Sequence, residues 1–224
     1  MSYTAKIETQ YLAQRTNWNE GLRVRVHRAI SWLKASEKYA GNDIDVAFLA
    51  TVNAANACWA DNQGKDRDGI AELVKRLRGT ESLKKIWMIL ASKEGTEWTE
   101  MLIGNKYLYW EYAEFLRGEI DEKQWEEKAV RNYKNAQQAV REKRYDYLLR
   151  FCLSQCVSQR GQIAHGFSTY ESSANRKPLK LTTTVLTKIV GQILLEMMKS
   201  PDKDWGVTPW LYQDEKYKGA FKRR

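Results

Sequence analysis

The chain reads as all-α, and three observations predict that class. No proline occurs before Pro178, and the only others are Pro201 and Pro209. Because an interior proline costs a helix about 3 kcal/mol, so long a proline-free stretch suits a helical bundle. Apolar residues recur at three- and four-residue steps through most of that stretch. Strand signals are weak throughout, and LTTTVL at 181–186 is the one real ambiguity.

The elements follow from this spacing. From Trp18, the residues Leu22, Val26, Ala29, Ile30 and Leu33 form one stripe, with Asn17 as the expected N-cap. A second helix is expected over 43–60, where VAFLATVNAANACWA is apolar on most sides. Gly64 to Arg67 forms a polar break. Helices are then expected over 67–78, 80–91 and 97–116. The segment 121–145 opens with acids and ends with bases, which matches the helix dipole. Another helix should span 146–165, carrying the stripe Leu148, Leu149, Cys152, Cys156 and Ile163, with Gly166 as its glycine C-cap. The loop FSTYESSANRKP leads to a last helix over 179–199. Residues 200–224 hold two prolines, two tryptophans and many charges, so an irregular tail packed by its aromatics is expected, with Trp205 as an anchor.

Size and composition support a single domain spanning 1–224, with its core over about 17–199. An apolar share of 43%, with nine Trp and twelve Tyr, supplies enough core material without metals or disulfides. Mean hydropathy is −0.65, and Lys, Glu, Asn or Gln interrupt the longest apolar stretches every few residues, so a soluble chain with no bilayer-spanning segment is expected. The opening MSYTAKIETQYLAQRTNW lacks an apolar leader core, and the expected location is the cytoplasm. Cys58, Cys152 and Cys156 are an odd set with too few histidines nearby for a metal site, and read as small buried residues.

A net charge of +9 favours polyanionic partners, nucleic acid before an acidic membrane surface. The run Lys216, Lys218, Lys222, Arg223 and Arg224 is the clearest basic cluster, and reads first as a solvated tail. Arg141, Lys143, Arg144 and Arg150 form another, which suits a solvated face or an RNA track. The chain has no GxxxxGK[ST] or GxGxxG loop and no HExxH or CxxC motif. A Cys156–His165 pair would lack an orienting third group.

The segment that carries chemistry is SQRGQIAHGFSTYESSANR, at the end of a buried helix. Arg160 precedes His165 by five residues, which places them about 140° apart with a rise of roughly 7.5 Å on an ideal helix. One straight helix does not converge them on one phosphate. Two copies packed across a two-fold axis would bring two Arg and two His into one cleft, so a homodimer is expected. His27, among Arg23, Arg25 and Arg28, reads as a surface residue.

The Arg-x4-His spacing, late in a helical chain, resembles the HEPN superfamily of small helical domains, many of them ribonucleases of toxin–antitoxin, antiviral or CRISPR systems. RGQIAHG, then ESSANR, then DWG at 204–206 is similar to a bacterial HEPN-like group that reads RNQLVHGG, Ser-x-Asn-Arg and Asp-Trp-Gly. RVHRAISWLKASE and FLATVNAANACWA are similar to that group's first two helices, so the resemblance covers about 17–210. It implies an antiparallel helical bundle with additional helices. It also implies that Arg160 and His165 are a catalytic pair for metal-independent, cofactor-free RNA cleavage by 2′-hydroxyl attack. His165 would move the proton and Arg160 would hold the phosphate.

A toxin or phage-defence role follows from the same resemblance, with a cognate antitoxin as a further partner. Where the group usually has a polar residue after the arginine, this chain has Gly161. Gln162, three residues before His165, either takes over the orienting contact or is solvated. Asn56 matches an asparagine common in the group, and reads as a structural hydrogen-bonding residue or as support behind the pair. Asn175 and Arg176 bring a further phosphate contact or cap the loop. The rival readings are an inactive HEPN domain that binds RNA, a nucleotide or a protein, and a helical protein with a structural role only.

Overall fold

A computed structural model describes residues 2–61 and 65–209. Among the described residues there are ten α-helices and no strand. They are α1 (Tyr3–Gln14), α2 (Glu20–Tyr39), α3 (Ile44–Trp59), α4 (Asp66–Leu77), α5 (Glu81–Ala91), α6 (Lys93–Gly104), α7 (Trp110–Leu116), α8 (Glu122–Arg141), α9 (Tyr145–Ala164) and α10 (Arg176–Lys199). The all-α class is thus as the proline and periodicity patterns predict, and LTTTVL lies within α10.

The caps explain most of the boundaries. Asn19, not Asn17, caps α2: its side chain accepts from the Leu22 N–H, while Asn17 closes a short 3₁₀ turn over Arg15–Asn17. Asp43 caps α3 in the same way through the Val46 N–H. Asp121 and Gln124 form a capping box at the start of α8. The helix expected over 97–116 is two helices. Gly104 ends α6, and Asn105 caps a 3₁₀ turn (Lys106–Leu108) before α7 begins. Helix α1 falls outside the expected core, yet Ile7 and Tyr11 join the main cluster.

Helices α2 and α3 form an antiparallel hairpin, with Ser36 bonded to Thr51 at one end and Arg25 reaching the Ala57 carbonyl at the other. Helix α10 lies at the centre and packs against α1, α2, α3, α5 and α6. By length and composition the stretch Ser173–Lys199 is apolar enough to cross a membrane, against the expectation that no segment is; 67% of its most apolar window is buried among the other helices, which accounts for that composition. Trp98 of α6 is fully buried and donates its indole N–H to Thr182 of α10, so this large ring is enclosed without an orphaned donor. Burial of each such ring stabilises the fold by roughly 1.5–3 kcal/mol.

The three cysteines are buried in the core as expected, and burial pushes the Cys58 and Cys152 thiols up to about 12, removing them as nucleophiles near neutrality. Trp205 is buried and donates to the Ser200 carbonyl, which anchors the segment after α10. Buried Arg25 clamps the same segment through the Val207 carbonyl at 3.0 Å. The basic run from Lys216 to Arg224 lies outside the described residues.

The corner between α5 and α6 depends on Gly95, where a Cβ would run into the Ile89 carbonyl and the Leu90 backbone. Gly95→Ala is therefore expected to destabilise the protein by about 1–3 kcal/mol, read as a lower urea midpoint with an unchanged slope. An unchanged midpoint would refute the tight corner.

Candidate functional site

Helix α9 is positioned by its packing on α4. The two run antiparallel, since Asp66 at the start of α4 meets Arg160 near the end of α9, while Arg78 just after α4 meets Asp146 at the start of α9. Leu149, Cys152, Leu153 and Cys156 face the core. The opposite face, toward Tyr147, Ser154 and Ser158, borders an open cleft.

The end of α9 closes as its glycine predicts. Gly166 takes φ +76, a left-handed conformation that glycine adopts freely. The Phe167 N–H reaches back to the Gln162 carbonyl and the Gly166 N–H to the Ile163 carbonyl, the paired bonds of a Schellman motif. His165 is the C-cap residue, and its backbone N–H donates to the Gly161 carbonyl at 3.0 Å. Its ring is exposed, with the exposed ring of Phe167 6.5 Å away. The imidazole thus stands in solvent on a helix end whose N–H groups from His165 to Phe167 are paired.

Arg160 is held differently. Its Nη2 lies 3.5 Å from Asp66 Oδ2, and Asp66 Oδ1 accepts the Trp59 indole N–H at 3.2 Å. The arginine side chain keeps 26% of its surface exposed, so the guanidinium is aimed by Asp66 but not sealed off. A pair this exposed adds at most about 1 kcal/mol of stability. Its effect is on direction: a planar fork with one corner fixed still presents N–H donors to an anion. Asp66 had read only as part of a polar break, and its place one residue into a helix was the available signal.

The other expected site residues are placed as follows. Gln162 gives its amide nitrogen to the Tyr107 carbonyl at 2.7 Å, tying α9 to the 3₁₀ turn and not to His165. Asn56 lines a recess with Arg25, Trp32, Asn53 and Thr208, away from any contact with Arg160 or His165, and its Oδ1 meets no donor among the described residues. Asn175 donates to Ser168 at 2.9 Å, and Arg176 is ion-paired with buried Asp45 while its Nε reaches the Ser172 carbonyl. Of the two readings open for Asn175 and Arg176, these bonds serve loop capping. The loop is further tied by the Tyr170 hydroxyl, which donates to Asp43. Exposed His27 lies on α2, with Tyr11 against its ring.

Gly161 lies between Arg160 and His165 and is half-exposed, and a Cβ there would meet nothing within 4 Å. Nothing in the described chain requires glycine at this helical position, although glycine costs a helix about 1 kcal/mol relative to alanine. No group of three or more His, Cys, Asp or Glu side chains is placed to hold a metal among the described residues. No protein-family model matches this chain, and no curated protein and no solved structure matches it either.

Two outcomes check this geometry. Gly161→Ala should raise the unfolding free energy by up to about 1 kcal/mol, read in urea melts; a loss of stability would show a hidden steric demand. The Tyr170 hydroxyl first, and the Val46 N–H second, hold the Asp43 carboxyl below its ordinary value. A carboxyl depressed by folding stabilises the protein above its unfolded pKa, and that contribution is lost as pH falls through the folded value. Tyr170→Phe should therefore raise the Asp43 titration midpoint, followed by carboxyl carbon NMR, and leave acid stability less dependent on this group.

Proposed function

We propose that the protein is a metal-independent endoribonuclease of HEPN type, with its site formed where the α9 ends of two copies meet. The observation that carries the proposal is the joint placement of Arg160 and His165. Both reach solvent within two turns of one helix end, the arginine aimed by Asp66 and the imidazole exposed. The Arg-x4-His spacing and the ordered RGQIAHG, ESSANR and DWG segments support the family, and the net charge of +9 supports an RNA substrate.

One copy supplies a single guanidinium and a single imidazole on different sides of the helix. Two copies supply a base and an acid. In this reading one His165 accepts the proton of a ribose 2′-hydroxyl as its oxygen bonds to the adjacent phosphorus. The bond from phosphorus to the 5′-oxygen of the next nucleotide breaks, and that oxygen takes a proton from the partner copy's imidazolium. The Arg160 side chains neutralise the non-bridging oxygens as charge grows there. The products are a 2′,3′-cyclic phosphate and a 5′-hydroxyl, and the role suits a toxin or phage-defence effector.

A second reading, an inactive domain that binds RNA, a nucleotide or a protein partner, is favoured by one observation. Gly161 has no side chain and Gln162 is committed to Tyr107, so neither neighbour orients His165 within one copy.

The discriminating assay is cleavage of end-labelled RNA in EDTA. Wild type should cut RNA and leave 2′-deoxy strands intact, and His165→Ala or Arg160→Ala should lower the rate by about 10²-fold or more. Equal traces for wild type and His165→Ala would contradict the enzyme reading.

A further inference from the structure

Asp66, the ion-pair partner of Arg160, also lines a cleft of about 150 Å³, bounded by the start of α4, the start of α7, and the outward face of α9. Its walls combine the aromatic rings of Trp110, Tyr147 and Phe151 with the arginines Arg67 and Arg150. Of the carboxylates on its rim, Asp66 is ion-paired with Arg160 and also accepts from Trp59, while Glu111 accepts from the neutral Asn132 amide at 2.9 Å and keeps its charge. Neither Arg67 nor Arg150 has an acid within ion-pair distance among the described residues; Arg67 instead sits 6.0 Å from the centre of the Trp110 ring, which Arg117 also approaches at 5.7 Å. With Arg67 and Arg150 set against Glu111, the charge left over for a ligand is net positive, beside aromatic rings. That combination suits a base packed beside aromatic rings with its phosphate on the arginines.

Gln155 supplies a polar floor. It is only 5% exposed, it lines the cleft, and its Oε1 meets no donor among the described residues. A buried amide left without a partner is uncommon. The amide therefore keeps unspent hydrogen-bonding capacity for the edge of a base.

The cleft also lies in line with the proposed chemistry. Ser158 on its wall comes seven residues before His165, the C-cap of α9, which on helical spacing means the same face and a separation of about 10 Å. Between them stands Gly161, which leaves the helix surface bare.

We propose that this cleft is a base-recognition subsite that seats one nucleotide of the RNA strand passing to His165, and so sets which base the site accepts. The proposal rests on the ribonuclease reading, because it assigns the nucleotide to a strand and not to a free metabolite. The base packs against the exposed parts of the Trp110 and Tyr147 rings, Gln155 reads its edge, and Arg67 and Arg150 hold the flanking phosphate.

Titration calorimetry of the full chain in EDTA tests this, using AMP, CMP, GMP and UMP and the matching 2′-O-methyl tetranucleotides, which cannot be cleaved. One base should bind at least tenfold tighter than the others, and its tetranucleotide tighter than its mononucleotide. Arg150→Glu, a change at an exposed side chain, should weaken the tetranucleotide at least tenfold, and Gln155→Met should erase the base preference at near-constant volume. Circular dichroism melts confirm that each variant is folded.

Equal binding of all four bases, or affinities unmoved by Arg150→Glu, would overturn the subsite. A mononucleotide that binds as tightly as its tetranucleotide would overturn the strand assignment in favour of a free nucleotide. Base-selective tetranucleotide binding without any cleavage would sink the ribonuclease reading and leave the subsite standing. Cleavage that depends on His165 but keeps its base preference in Gln155→Met would do the reverse.

Discussion

Everything at the candidate site depends on the antiparallel contact between α4 and α9. Two ion pairs bracket it, Asp66–Arg160 at one end and Arg78–Asp146 at the other, and the apolar side chains between them set the register. A shift of one residue along α9 would rotate its outward face by about 100° and move Arg160 away from Asp66. The position of the guanidinium, the wall of the cleft and the direction of the exposed imidazole all follow from this register. Burial sets how tightly the contact holds, and the exposed ion pairs set where it stops.

Electrostatics then separates the arginines into two groups. Arg25 is buried among carbonyls and Arg176 is paired with buried Asp45, so both serve the fold. Arg160 keeps part of its surface in water with a single half-exposed partner, and Arg67 and Arg150 meet no carboxylate among the described residues. An anion approaching α9 thus meets, in Arg67 and Arg150, cations without an ion-pair partner among the described residues. The same comparison separates His27, packed near Tyr11 on α2, from His165, which stands free at a helix end.

Much of the fold was legible because helix formation is a local property. Asp43, Asp121 and Gly166 end or start helices by bonds to residues three to five positions away, and their neighbours in the chain announce those bonds. Where two local solutions compete, sequence reading loses resolution. Asn17 and Asn19 are both good caps, and Gly104-Asn105 is a break that a continuous apolar pattern conceals. Helix α1 is hard to see because few of its residues are buried: Ile7 and Tyr11 carry most of its contact with the core. The candidate site was legible only in part. Arg160 and His165 declare themselves by spacing, but Asp66 is 94 positions from Arg160, and no periodicity reports a partner so remote. For the same reason Asn56 and Gln162 resembled supporting residues, while the structure gives them other surroundings.

The central claim, that two α9 ends pair around Gly161, is open to one direct measurement. The native thiols are all buried, so Gly161→Cys introduces a single accessible thiol on the helix surface. Under mild oxidation the variant should form a disulfide-linked dimer that needs no other cross-linker and that a cysteine placed at exposed Met88 does not form. A Gly161→Cys protein that stays monomeric on non-reducing gels, at concentrations where the wild type is fully folded, would contradict the account.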